Sequence, residues 1–198
     1  MSLRPQLFAA DVTPLTALRA SADPAMTDAV VSRMASVLAD SGPAMLDLAR
    51  TQTVALLDPT QAGRPENEEQ VHCVRALAMV LGLMTQDAQI ADGDWVQDAW
   101  EDYLKAAQGK LADEAHGLLT ALIRGRRCVF GQRIQTTWAY YGVLTKDEVV
   151  RIADALVAAG EAHPDLASSQ VVDGFHDVLI GWFDAIATAD KDAFLWAD

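Results

Sequence analysis

Apolar side chains recur three and four residues apart, in runs cut by capping residues, prolines and glycines, and this pattern constrains the fold more than any other feature of the chain. From residue 24 to 40, Met26, Val30, Met34, Val37 and Leu38 share one helical face behind an Asp23-Pro24 start, and Gly42-Pro43 ends the run. A second helix is expected over residues 44–57. Asp58-Pro59 to Arg64-Pro65 then reads as a polar loop. Residues 66–86 begin with Glu66, Glu68 and Glu69, which suit the positive end of a helix dipole, and carry Val71, Val74, Leu77, Leu81 and Met84 on one stripe. Further helices are predicted over residues 92–108, with Trp95, Trp100 and Tyr103 in the core and Asp94, Asp98, Glu101 and Asp102 outside, and over 111–123, stopping near Gly125.

Thr145, with Glu148 three residues on, is a capping box. The apolar residues Val149, Val150, Ile152, Ala153, Leu156 and Val157 follow it, and Gly160 is expected to close that helix near His163-Pro164. A last helix is predicted over 169–187. Two pieces lack helical character, residues 6–10 and 193–196, and each has the length of a strand. Cys128-Val129-Phe130 is a candidate third strand. The expected fold is α+β and predominantly α-helical: one globular domain over residues 1–198, with a helical body and a small sheet from short terminal strands.

Three segments carry a resemblance. LFAADVTPLTALRA, WAYYGVLTKDEVVRIADAL and GWFDAIATADKDAFLWAD resemble the entry, middle and exit of the YfbM-like group of uncharacterised small bacterial proteins. The resemblance implies a short strand running into a helix at the start, and a strand after a WF-containing helix at the end. It brings no catalytic residues.

Charge narrows the partners. With 28 acidic and 15 basic side chains the net charge is -13, which opposes a general affinity for nucleic acid or anionic membrane and suits a basic protein partner. The longest uncharged apolar stretch, residues 76–86, is too short to span a bilayer, and the first residues lack the apolar run of a signal peptide. Cys73 and Cys128 are isolated, as expected of small buried residues in a reducing cytoplasm. No cofactor is expected, and composition sets no oligomeric state.

Between Ala115 and Lys146 the chain has no Asp or Glu. Within that gap Arg124, Arg126, Arg127 and Arg133 precede Trp138, Tyr140 and Tyr141, in what reads as an irregular, glycine-punctuated stretch between two helices. Guanidinium groups grip carboxylate or phosphate with two parallel hydrogen bonds and stack on rings, so these seven residues are candidate ligands for an anionic or planar molecule. The competing reading is that they pair with the surplus carboxylates of neighbouring helices.

A weaker candidate is acid-to-histidine spacing. Glu69/His72, Asp113/His116 and Asp173/His176 each place a carboxylate and an imidazole on one helical face, as metal-binding bundles do. No Gly-x-Ser-x-Gly, phosphate-loop or dinucleotide-binding pattern occurs. The expected function is a non-enzymatic interaction module of inhibitor or immunity type. An anionic-ligand site over Arg124–Tyr141 and a metal-dependent helical protein are the alternatives.

Overall fold

A computed structural model describes residues 5–12, 24–37, 42–44, 46–47, 50–51, 89–91, 97–124, 140–168 and 174–197. Four strands form one antiparallel sheet: β1 (Pro5–Ala10), β2 (Gln89–Ala91), β3 (Tyr140–Leu144) and β4 (Asp192–Ala197), in the order β2-β1-β4-β3. The helices are α1 (Pro24–Val37), α2 (Gln97–Ala107), α3 (Asp113–Ile123), α4 (Lys146–Ala162), the one-turn α5 (Asp165–Ser168) and α6 (Phe175–Thr188). Residues 43–44, 46–47 and 50–51 are also helical.

The two strands expected near the ends of the chain pair with each other at the centre of the sheet, from Pro5↔Ala197 to Ala10↔Asp192. Their alternation explains the register. Leu7 lies opposite Leu195 and Ala9 opposite Ala193, and all four belong to the core shared with the helices. One residue out of phase, Phe8, Phe194 and Val143 form a row on the other face, with the two rings 6.2 Å apart.

The helices stack against the first face. α4 and α6 pack on each other and on β4, α3 covers β3, and α2 leans on α3 and α6. Trp100, Tyr103, Phe175 and Phe183 are fully buried among Leu119, Leu122, Ile152, Leu156 and Leu179. Each large side chain so removed from water contributes about 1.5–3 kcal/mol of transfer free energy. The rings meet edge to face: Trp100 on Phe175 at 5.4 Å, and Phe175 on Trp182 at 5.9 Å.

Several expectations change. Tyr140 and Tyr141 do not lie in an irregular stretch; they open β3, where Tyr141 pairs with Trp196 and Gly142 with Leu195. The run Tyr-Tyr-Gly-Val-Leu is short and apolar, which suits an edge strand covered on one face by α3. α4 runs through Gly160 to Ala162 and is capped at His163, where its end was expected. Among the apolar residues of α4, Val150 and Val157 are the exposed large hydrophobic residues of the described structure. α6 starts at Phe175, behind Gly174 at φ 79°, a left-handed backbone that glycine adopts without strain. The helix expected over 66–86 and the strand at 128–130 lie outside the described residues.

Candidate functional site

Of the seven residues of the basic aromatic island, Arg124 is exposed just past α3, its main-chain N–H closing the helix onto Thr120 O at 3.2 Å. Tyr140 and Tyr141 hold backbone positions at the start of β3, and Arg126, Arg127, Arg133 and Trp138 lie outside the described residues. The two ends of the island are nonetheless brought together. An ideal Cβ on Gly142 would stand 2.6 Å from the Leu122 carbonyl oxygen, so the last turn of α3 presses on β3 where only glycine fits.

Of the acid–histidine pairs, Asp113/His116 is the one with both members among the described residues. Asp113 is exposed, whereas His116 donates from Nε2 to the Leu104 carbonyl at 2.9 Å and so ties α3 to α2. His176 has no exposed surface and lies in the aromatic core, its Nδ1 2.8 Å from the Tyr103 hydroxyl. Among the described residues no group of three or more His, Cys, Asp or Glu side chains converges to hold a metal. Glu69, His72 and Asp173 lie outside them.

A polar cleft of about 310 Å³ opens where β1 ends, α4 begins and β4 starts, lined by Asp11, Lys146, Asp190, Lys191 and Asp192 among others. Its charges are engaged in fastening the fold. Asp192 accepts the main-chain N–H groups of Lys146 and Val12 on its two oxygens. The Lys146 ammonium reaches Asp190 at 3.1 Å, and that hydrogen-bonded carboxylate raises its pKa. Thr145 and Glu148 complete the start of α4 as the expected capping box, with the Thr145 N–H donated to Glu148 at 3.0 Å.

The outer surface of α4 is different in kind. Asp147, Val150, Asp154, Val157 and Glu161 are all exposed, and their spacings of three, four, three and four place them in one stripe. The carboxylates repeat every seven residues, about 10.5 Å of helix, and the valines lie between them at 44% and 46% exposure. Arg151, beside the stripe, turns toward Glu114 of α3 at 3.4 Å. On neighbouring α6, Asp177 and Asp184 are exposed at the same seven-residue interval. Of the acidic face expected on α2, Asp98 is exposed, while Glu101 and Asp102 are half-buried and Asp102 holds Lys105 at 2.8 Å. The heptad of Asp147, Asp154 and Glu161 was the missed signal.

Such a surface can dock cations flanking a narrow apolar ridge. No helix among the described residues is long and apolar enough to cross a membrane. No family model, curated protein or solved structure matches the chain.

Proposed function

We propose that this protein is a non-enzymatic interaction module that docks a basic protein through the outer face of α4, in the manner of an inhibitor or immunity-type protein. One observation carries the reading: three carboxylates and two valines, all exposed, form a single stripe on a helix whose other face is anchored in the core. Carboxylates steer a cationic partner and set its register, while the valines supply area that repays desolvation. A second copy of the chain is a poor occupant, since stripe on stripe sets acid against acid and each chain carries a net charge of -13. We take the setting to be the cytoplasm, where two isolated cysteines stay reduced. The kinship with the YfbM-like group stays a proposal and assigns no chemistry.

The test is capture of a basic partner by the wild-type chain and by the triple variant Asp147→Lys, Asp154→Lys, Glu161→Lys. The reading expects capture at low salt, weakening by tenfold or more at 0.3 M salt, and its loss in the triple variant. Capture that is indifferent both to salt and to the reversed charges would remove α4 as the docking face.

A further inference from the structure

His176 meets three helices at one point. It belongs to the first turn of α6, its ring stacks on Tyr103 of α2 at 26° and 5.8 Å, and it reaches α4 at Gly160. The fit at Gly160 is close: an ideal Cβ there would stand 2.8 Å from His176 Nε2. Neither His176 nor Tyr103 has any exposed surface, and on the α4 side the imidazole faces the Leu156 carbonyl.

The hydrogen bond decides where the imidazole carries its proton. Burial pushes the Tyr103 phenol far up, so its O–H keeps its hydrogen; with the Leu156 carbonyl as acceptor on the α4 side, we take the phenol to donate to Nδ1, 2.8 Å away. A neutral His176 then bears its hydrogen on Nε2, facing Gly160. We infer that His176 is an acid-sensitive latch: neutral, it fastens the start of α6 to α2 and lies flush against the last turns of α4, and uptake of a proton from solvent opens this junction.

A second proton would have to sit on Nδ1. Tyr103 must then turn from donor to acceptor, which leaves its own hydrogen unpaired in the apolar core. The new positive charge would also lie in the first turn of α6, at the positive end of that helix. From α2 the imidazole faces Tyr103. From α4 it faces Gly160 and the Leu156 carbonyl, and on α6 its neighbour Asp177 is exposed. Asp177 and the Leu156 carbonyl favour the imidazolium, but burial outweighs both and holds the pKa below its ordinary 6.5.

The unfolded chain therefore binds this proton more readily than the folded one. Stability from the latch is complete above the ordinary histidine range and drains away as pH falls through it. The opened turn includes Gly160 and borders Glu161, so acid would also loosen the end of the docking stripe. That consequence rests on the proposed α4 face. The latch is measured without a partner, so the two readings fail separately.

The experiment compares wild type with His176→Asn, whose amide oxygen can still accept from Tyr103 but does not titrate. Between pH 7.5 and 5.5 the unfolding constant of wild type should rise by up to about tenfold more than that of the variant. Hydrogen exchange at the end of α4 and the start of α6 should speed up at pH 5.5 in wild type alone. Equal pH slopes in the two proteins would overturn the latch. Should the variant fail to fold, imidazole NMR of wild type decides: persistence of the Nε2–H form in folded protein at pH 5.5 supports it, and ordinary titration near pH 6.5 without opening refutes it.

Discussion

Asp192 accepts the Lys146 main-chain N–H at 2.9 Å on one carboxylate oxygen and the Val12 N–H at 3.0 Å on the other. One side chain, 9% exposed at the first position of β4, thereby holds the exit of β1 and the entry of α4. The capping box alone would start α4; Asp192 also fixes where that helix sits on the sheet.

Replacing Asp192 by Ala strands two N–H groups in a partly buried junction. We expect a loss of about 3 kcal/mol, and roughly half of that for Asp192→Asn, which keeps a single acceptor oxygen. Urea denaturation with unchanged m-value checks both.

Glycines at two positions should respond with opposite signs. Gly142→Ala drives a methyl group to 2.6 Å from the Leu122 carbonyl, which is backbone and cannot step aside. A loss of about 1–3 kcal/mol is expected, as for other overpacked sites. Gly181 lies in the middle of α6, exposed and with nothing within 4 Å of an added Cβ. Gly181→Ala should stabilise by about 0.5–1 kcal/mol through helix propensity and a less flexible unfolded chain. Thermal unfolding of the two variants is the comparison.

The ordering of helices was legible because the three-and-four spacing of apolar residues is local information. α1, α2, α3, α4 and α6 all fall within expected segments, with ends shifted by a few residues. The pairing of β1 with β4 was legible from two short non-helical pieces at opposite ends of the chain. β3 lies inside the basic aromatic island, where five residues of Tyr-Tyr-Gly-Val-Leu are too few to set a strand period apart from the surrounding charge. β2 has only three residues, too few for alternation to register. On α4 the adjacent pair Val149 and Val150 was ambiguous. A helix buries one neighbour and exposes the other, and only packing shows that Val149 went inside. The partner of His176 lies 73 residues away, a relationship that no spacing encodes.

The stripe on α4 can be separated from the stability of the fold. Val150→Ser and Val157→Ser remove surface that is already almost half exposed, so each should change stability by no more than about 0.5 kcal/mol. Leu156→Ala, on the same helix but fully buried, should cost about 2–5 kcal/mol. Docking should reverse that ranking: a folded Val150→Ser, Val157→Ser double variant should bind a basic partner more weakly, as seen in its dissociation rate. A double variant that binds as wild type does would confine the interaction to charge.

Tyr103→Phe isolates the hydrogen bond on which the histidine core depends. At pH 7.5 the variant leaves His176 Nδ1 as an unpaired acceptor among buried rings, and a cost of about 1–3 kcal/mol follows. The phenol donates only to the neutral imidazole, so its removal destabilises that form and lets the His176 pKa move back toward its ordinary value. The difference between variant and wild type should therefore shrink from pH 7.5 to pH 5.5, as both chains meet the same cost of burying an imidazolium. In a His176→Leu background the acceptor is gone, and Tyr103→Phe should show neither the pH dependence nor most of the cost. A double-mutant cycle at both pH values measures this coupling, and a coupling energy that does not change with pH would mean that the hydroxyl acts through packing alone.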